Sequence, residues 1–224
     1  MDADGPPDRN VPPATGERLG WADAPAWLRA EVEGRLGGPV VEAVTQPTGF
    51  SPGLAARLQD GFKGWRRLAA AHAAGTDDLA SLDPWAVRHL HRLADLEAGW
   101  PAATEGRTLL HLDLRADNLL LTPTRVVAVD WPYASAGAAW VDLLLLLPSV
   151  TMQGGPDPEP TFAAHPVATA ADPAAVTATL AAFAGFLLDG ARLPPPPGLP
   201  TLRAFQLGQG VVALDWLRRR TGWA

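Results

Sequence analysis

Three polar residues around two short apolar segments constrain this 224-residue chain more than any other feature of the sequence. Asp113 and Asn118 are five positions apart, and Asp130 directly follows the apolar segment 126–129. That segment and an earlier one, 119–121, enclose a turn sequence with a central proline, so we predict a β-hairpin. Asn118 directly precedes the first strand and Asp130 directly follows the second. The hairpin would therefore bring both residues together at its open end.

The chemistry of these residue types favours a site for magnesium and phosphate. An amide oxygen and a carboxylate oxygen are hard ligands that suit Mg²⁺, which also takes ligands from phosphate and water. Asp113 lies on a loop between apolar segments, so its carboxylate can project into a cleft and orient an attacking hydroxyl. Each residue alone is more simply explained as a turn residue, because Asp and Asn are common between strands. All three together, with His111 two positions before Asp113, favour phosphoryl transfer.

Composition excludes several other kinds of site. The chain has no cysteine, which excludes disulfides, thiol nucleophiles and cysteine metal sites. A hydrophobic fraction of 47% and a charged fraction of 19% are typical of one folded domain, or of one domain with a small appendage. The net charge of −6 gives no electrostatic footprint for nucleic acid or for an anionic membrane. We therefore expect neither as a partner.

The same sequence predicts a cytoplasmic protein. The N-terminus is acidic and proline-rich and lacks the basic and apolar segments of a signal peptide. The apolar stretch 138–150 is interrupted by Asp142 and Pro148 and is too short to span a bilayer. No feature of the sequence indicates a particular oligomeric state.

Local patterns divide the chain into three parts. Residues 1–16 are predicted to be a disordered lead-in, residues 17–60 a small unit, and residues 61–224 a mainly helical unit. The small unit would contain a helix at about 25–36 and strands at 40–44 and 54–58. Further helices are predicted from about residue 62 and at about 83–98, 139–147, 173–189 and 201–220. The proline-rich segment 151–172, with Asp157, Glu159 and Asp172, is predicted to be a solvated loop.

The central motif resembles a known family. His111-Leu112-Asp113, then four residues and Asn118, then Val129-Asp130-Trp131, is similar to the catalytic and metal-binding loops of the aminoglycoside phosphotransferase family. The usual pattern of that family is His-Gly-Asp-Leu-x-x-x-Asn, followed by a strand and Asp-Trp or Asp-Phe. The family also includes choline and homoserine kinases. The resemblance implies an α+β, protein-kinase-like fold with a mainly helical large lobe, short hairpins and a small N-terminal lobe.

The resemblance also implies a role for each matched residue. Asp113 corresponds to the catalytic aspartate, and Asn118 and Asp130 correspond to the magnesium ligands. ATP would be the co-substrate, and a hydroxyl group of a small molecule would be the acceptor. The cofactor expected from the family is therefore Mg²⁺, bound together with the nucleotide.

Three other residues are expected to shape the catalytic loop. His111 is expected to be a structural member of the loop. Asp142 begins the helix after the metal loop, where the family has an aspartate that steadies the catalytic backbone. Leu112 stands where the family commonly has glycine, which is a mild departure from the pattern.

The resemblance is incomplete before residue 62. Residues 40–58 resemble the first strand, the nucleotide-covering turn and the second strand of the small lobe. That turn holds the residues assigned to nucleotide binding, which are Gly49, Ser51 and Gly53. In the family a third strand follows with a phosphate-contacting lysine, but here helical sequence begins soon after Leu58. The sole lysine of the chain, Lys63, lies in that helical context, so we predict a truncated small lobe.

Two functions therefore stay open. The first is an ATP-dependent phosphotransferase, favoured by the three polar residues of the motif. The second is a non-catalytic, pseudokinase-like relative or deletion product that binds a small molecule or a protein partner. The missing lysine strand favours the second, because catalysis of this kind depends on positioning and charge neutralisation. An unrelated helical protein with a chance motif is disfavoured by Asp142 and by the helical order after it.

Overall fold

The computed structural model describes residues 62–131 and 133–224, together with Ala26, Arg29 and Ala30, which are helical. Within residues 62–131 and 133–224 the chain is an α+β protein with eight α-helices and two small antiparallel sheets. The helices are α1 (Gly64–Ala73), α2 (Pro84–Arg88), α3 (Leu90–Ala98), α4 (Trp100–Ala103), α5 (Val141–Met152), α6 (Pro158–Ala164), α7 (Pro173–Ala191) and α8 (Leu202–Thr221). The strands are β1 (Thr108–Leu110), β2 (Leu119–Leu121), β3 (Val126–Ala128) and β4 (Ser135–Gly137). Short 3₁₀ helices cover Ala116–Asn118 and Pro166–Ala168.

Helix α7 forms the centre of the described part. Most of its residues are buried, and it packs against α1, α3, α4, α5 and α8. Its start follows a standard signal, because the Asp172 carboxylate accepts the Ala174 backbone N–H at 3.0 Å and Pro173 occupies the first helical position. By length and composition α7 could cross a membrane, but 72% of its apolar window is buried inside the protein. A buried core helix has the same composition.

Helices α1 and α7 approach each other so closely that their contact requires glycine. A β-carbon on Gly64 would lie 2.0 Å from the backbone oxygen of Gly185. Next to this contact, the fully buried Trp65 donates its indole N–H to the Ala181 carbonyl at 2.8 Å. The pair of glycines therefore sets the distance at which the Trp65 ring fits against α7.

The N-terminus of α1 is capped by a residue from another helix. Glu97 on α3 is fully buried and accepts the backbone N–H groups of Trp65 at 3.0 Å and Arg66 at 2.9 Å. The Arg66 side chain adds a third donor at 3.2 Å. Burial raises the pKa of Glu97, and the hydrogen bonds from Arg66 and Trp65 oppose that shift. These contacts satisfy two N–H groups that a helix leaves unpaired.

The single helix predicted at 83–98 is wrong, because the structure divides it. Asp83 caps α2 as predicted, with the Trp85 N–H donated to its carboxylate at 2.7 Å. The helical dihedrals are interrupted at His89 (φ −105°, ψ 15°). Its ring lies 5.2 Å from the Trp223 ring and contacts the Ala224 carbonyl oxygen at 2.8 Å. The break thus coincides with a contact to the C-terminal residues, which no local pattern indicates.

The predicted loop at 151–172 is also wrong, because it contains α6 and a 3₁₀ helix. Phe162 is buried against the rings of Trp140 and Trp216, so core packing stabilises a helix in this proline-rich segment. Glu159 accepts the Arg220 guanidinium at 2.6 Å and also the indole N–H of Trp216. Asp157 caps α6 by accepting the Glu159 N–H at 2.9 Å. These carboxylates bind groups of the protein itself.

The other helix predictions are confirmed, although α5 ends at Met152, five residues beyond its predicted end. Helices α7 and α8 correspond to the predictions at 173–189 and 201–220, and α5 to the prediction at 139–147. Ala26, Arg29 and Ala30 fall inside the helix predicted at 25–36. The strands predicted at 40–44 and 54–58 lie outside the described residues, and so do the limits proposed for residues 1–16 and 17–60.

Candidate active site

The predicted hairpin is present and places two of the predicted site residues. Strands β2 and β3 are antiparallel, with Leu119 opposite Ala128. The Val129 N–H donates to the Asn118 carbonyl at 2.9 Å, which extends the ladder by one pair beyond the strands. Asn118 is therefore joined to the residue immediately before Asp130. Strand β3 ends at Ala128, one residue earlier than predicted.

A second sheet, which was not predicted, pairs the chain segments before and after the loop and the hairpin. Strand β1 pairs antiparallel with β4, with Thr108 opposite Gly137 and Leu110 opposite Ser135. The residues between these two strands contain the loop at 111–118, called the polar loop below, and the hairpin of β2 and β3. Both segments therefore begin and end at one small sheet. Strands of three residues without apolar alternation give no sequence signal of their own.

The polar loop is attached to helix α5 through Asp142. The two carboxylate oxygens of Asp142 accept the backbone N–H groups of His111 and Leu112, each at 2.8 Å. This contact confirms the expectation that Asp142 steadies the loop backbone. Because Asp142 lies in the first turn of α5, the carboxylate is also near the positive end of the helix dipole.

His111 joins the polar loop to the end of the hairpin. Its side chain is almost fully buried, its Nε2 atom lies 2.8 Å from the Val129 carbonyl oxygen, and its Nδ1 atom accepts the Asp113 N–H at 3.2 Å. A nitrogen that accepts an N–H carries no proton, so these partners place the ring proton on Nε2, which donates to the Val129 carbonyl. The ring also packs on Trp131, with ring centroids 4.6 Å apart. The structural role expected for His111 is confirmed.

The backbone at Leu112 explains why glycine is common at this position of the motif. Leu112 has φ +64°, in the left-handed region that costs an L-residue about 1–2 kcal/mol. Its side chain is half-buried and packs on the core. Asp130 also has a positive φ, of +61°. Both ends of the site thus use a conformation that strains ordinary residues.

Asp113 lies in an environment that disfavours its charge. Burial raises the pKa of this carboxyl group. The Arg115 guanidinium opposes the shift, and the carboxylates of Asp117 and Asp130 add to it. Its Oδ1 atom is 3.6 Å from Nη1 of Arg115. A carboxylate whose pKa is raised in this way has an increased proton affinity, which suits a general base.

Asn118 has a buried oxygen atom whose hydrogen-bonding capacity is unused. The side chain is fully buried, and its Nδ2 atom donates to the Asp113 carbonyl at 2.8 Å and more weakly to the Asp113 carboxylate at 3.4 Å. Its Oδ1 atom is buried and has no hydrogen-bond partner. Leaving such an acceptor unpaired costs about 1–3 kcal/mol, so its presence calls for a ligand.

The donor set at this end of the hairpin fits magnesium. The described residues contain no group of three His, Cys, Asp or Glu side chains suited to a metal ion. Mg²⁺ instead commonly takes one or two protein oxygens and fills its other positions with phosphate and water oxygens. The orphan oxygen of Asn118 and the exposed carboxylate of Asp130 supply such a pair.

The structure adds two charged residues and a tyrosine that sequence reasoning missed. Arg115 forms a bidentate ion pair with Asp117, in which both N–O distances are 3.1 Å. Both residues occupy variable positions of the motif. Their opposite charges, two positions apart, were the sequence feature that could have predicted this ion pair. Burial raises the pKa of Tyr133, and the carboxylates of Asp113 and Asp130 add to that shift. Its place beside both carboxylates had no signal in the sequence.

The residues assigned to the nucleotide lie outside the described part of the chain. These are Gly49, Ser51 and Gly53, so their assignment remains a prediction. The described site therefore consists of the polar loop, the end of the hairpin and Asp142.

Comparison with known proteins shows the family of this chain. The family model of the phosphotransferase enzyme family (APH) matches residues 14–183, which is more than half of the chain. No curated protein and no solved structure gave a significant match. The matched range includes the polar loop, the hairpin and Asp142. The chain therefore belongs to the phosphotransferase enzyme family, in agreement with its resemblance to the aminoglycoside phosphotransferases.

Proposed function

We propose that this protein transfers the terminal phosphoryl group of ATP to a hydroxyl group of a small molecule. Membership of the phosphotransferase enzyme family supports the type of reaction and the class of acceptor. The observation that carries the proposal is the buried Oδ1 atom of Asn118, which has no hydrogen-bond partner and lies in a side chain bonded to Asp113. An unpaired acceptor beside a carboxylate of raised pKa is the arrangement that a metal-nucleotide complex would complete.

Asp113 acts as the base in this proposal. The acceptor oxygen forms a bond to the γ-phosphorus, the bond from that phosphorus to the bridging oxygen of ADP breaks, and ADP keeps the electron pair. The hydroxyl proton passes to the Asp113 carboxylate. Asn118 fixes the position of the base, because its amide N–H holds the Asp113 carbonyl at 2.8 Å.

Asn118 and Asp130 hold the metal in this proposal. Bound Mg²⁺ supplies positive charge to the phosphate oxygens. The two protein oxygens come from opposite sides of the open end of the hairpin. The backbone hydrogen bond between Val129 and Asn118 holds these two sides together. His111 maintains that arrangement through its contact with the Val129 carbonyl.

The proposed fold is protein-kinase-like with a truncated small lobe. The described helices and hairpin would form the large lobe, at 61–224. Residues 17–60, with Gly49, Ser51 and Gly53 at the nucleotide, would form the small lobe. The family match begins at residue 14, so it includes the segment that this proposal assigns to the small lobe.

Calorimetric titration of Mg-ATP tests the function. The wild-type protein is expected to bind, and Asp130→Asn to lose about tenfold or more in affinity when magnesium is present. The difference between the two proteins should shrink when a chelator removes the metal. Asp95→Asn, an exposed carboxylate on α3, is the matched control and should bind like the wild type. Absence of binding at millimolar Mg-ATP would contradict the proposal.

A non-catalytic relative is the second candidate, and Lys63 favours it. Lys63 is the sole lysine of the chain, and it is an exposed residue at the cap of α1 rather than part of a strand. A chain without a phosphate-contacting lysine has less charge to stabilise the transfer. Binding of Mg-ATP without phosphate release, in the presence of a panel of small alcohols, would select this candidate.

A further inference from the structure

Arg115 is held beside Asp113 in a fixed orientation. Its Nε and Nη2 atoms bind the two oxygens of Asp117 at 3.1 Å, and 12% of its side chain is exposed. The guanidinium carbon lies 5.6 Å from the centre of the Phe205 ring on α8, within the range of a cation–π contact. Asp117 and Phe205 thus orient the group, and its Nη1 atom faces Asp113 at 3.6 Å. That last distance is longer than a hydrogen bond, so this pair is purely electrostatic.

The charges around the polar loop make such a cation valuable. Asp113, Asp117 and Asp130 are three carboxylates close together, and the carboxylates of Asp117 and Asp130 both raise the pKa of Asp113. Within the described ranges, the ion pairs of Asp113 and of Asp117 both involve Arg115. A polyphosphate that enters this region meets carboxylate repulsion, which only positive charge can offset.

Several other basic residues of the described part form ion pairs away from the polar loop. Arg66 pairs with Glu97, and Arg192 pairs with Asp77. Lys63 is at the cap of α1. The ion pairs of the α8 terminus hold Arg218, Arg219 and Arg220. Arg115, by contrast, lies beside Asp113, the proposed base.

We propose that Arg115 binds the phosphoryl group during its transfer and supplies charge that the missing small-lobe lysine would otherwise supply. This inference rests on the proposed function. As the acceptor oxygen bonds to phosphorus, ADP leaves with the electron pair and the hydroxyl proton passes to Asp113. Arg115, whose Nη1 atom faces this position, donates a hydrogen bond from Nη1 to an oxygen of the terminal phosphoryl group, in bound ATP as well as during the transfer. The guanidinium needs little rearrangement, because Asp117 already holds its other edge.

The test compares two nucleotides that differ by the transferred group. Calorimetry measures the affinities of Mg-ATP and Mg-ADP without acceptor, for the wild type, Arg115→Gln and Arg125→Gln. Arg125 lies exposed at the turn between β2 and β3, so its variant makes the same charge change away from the site. Arg115→Gln is expected to weaken Mg-ATP about tenfold and to leave Mg-ADP within about twofold. The rate of phosphate release from Mg-ATP should fall about 10²-fold, and Arg125→Gln should match the wild type.

A second variant, Arg115→Lys, keeps the inference testable if Arg115→Gln does not fold. Arg115→Lys keeps a positive charge near Asp117, but one ammonium group cannot contact Asp117 and a phosphoryl oxygen in the fork geometry of a guanidinium. It is expected to reduce the preference for Mg-ATP over Mg-ADP at least about threefold. An unchanged preference in the variant that folds would overturn the role of Arg115, and so would equal losses for both nucleotides.

The wild-type titration separates this inference from the proposed function. If the wild type binds neither nucleotide, the proposed function fails and Arg115 loses its role with it. If the wild type prefers Mg-ATP and the Arg115 variants keep that preference, the inference about Arg115 fails alone.

Discussion

The carboxylate of Asp142 accepts the backbone N–H of His111 at 2.8 Å, which ties the first turn of α5 to the start of the polar loop. The contact spans 31 positions of sequence. The second carboxylate oxygen holds the next N–H of the loop at the same distance. The orientation of the loop therefore depends on a helix that contributes no proposed catalytic group.

Asp142→Asn should destabilise the protein and reduce its activity. Asparagine offers one acceptor oxygen, so its amide would face one of the two backbone N–H groups that Asp142 now accepts. Leaving a donor of this kind unpaired costs about 1–3 kcal/mol. Urea unfolding measures the change, and Asp95→Asn, which alters an exposed carboxylate, should stay within about 0.5 kcal/mol of the wild type. Equal stability of the two variants would show that the loop does not depend on Asp142.

Asp113→Asn should stabilise the folded protein at neutral pH while it removes the base. Burial raises the pKa of Asp113 above its usual 3.8, so the folded state binds this proton more tightly than the unfolded chain. The contribution of Asp113 to the free energy of unfolding therefore decreases as the pH rises from 3.8 through the folded pKa. The variant lacks that decrease, so its advantage over the wild type should grow across the same range.

The measurement for Asp113→Asn is urea unfolding at a series of pH values, together with phosphate transfer. The rate should fall about 10²–10⁴-fold, the usual contribution of a general base. A constant difference in stability at all pH values would contradict the shifted pKa of Asp113.

The positive φ of Leu112 predicts that a glycine variant at this position is more stable than an alanine variant, the reverse of the usual order. At φ +64°, Leu112→Gly should be more stable than Leu112→Ala by about 1 kcal/mol, because alanine keeps the left-handed strain. Ala74, at φ −80°, provides the control. There the change Ala74→Gly should cost about 0.5–1 kcal/mol. Thermal unfolding of the wild type, Leu112→Gly, Leu112→Ala and Ala74→Gly gives the comparison. If Leu112→Ala were more stable than Leu112→Gly, backbone strain would be excluded as the reason for the glycine of the family motif.

Gly64→Ala should disturb the contact between α1 and α7. The added β-carbon would lie 2.0 Å from the Gly185 carbonyl oxygen, so the helices must separate, at a cost of about 3 kcal/mol. Gly99→Ala is the matched control, because its β-carbon would meet no atom closer than 3.4 Å. Denaturant midpoints compare the two variants. Similar midpoints would mean that the helices adjust without loss.

Sequence reasoning worked best where the deciding residues are neighbours in the chain. The hairpin was predicted because Leu119–Leu121 and Val126–Ala128 flank a turn within ten positions. Asp83 and Pro84 correctly marked a helix start, since a cap acts on the next two or three residues. The helix predicted through His89 is interrupted at that residue, whose ring contacts Trp223, a residue far along the chain.

The site shows the same division. The motif itself indicated Asp113, Asn118 and Asp130 as a set, and the family match supports that origin. The sequence did not indicate that Arg115 would lie between Asp113 and Asp117, because the direction of a loop side chain depends on what packs around it. Phe205, 90 positions along the chain, is part of that packing.

The sequence by itself determined the family, the hairpin and the identity of the polar residues, because each is encoded by residues a few positions apart. Only the tertiary structure decided which groups support them. Glu97 caps α1 from another helix, Asp142 holds the polar loop, and the buried Asn118 oxygen is left without a partner. Such contacts form only when distant segments pack together and exclude water, and that packing fixes both the unpaired acceptor and the raised pKa of Asp113.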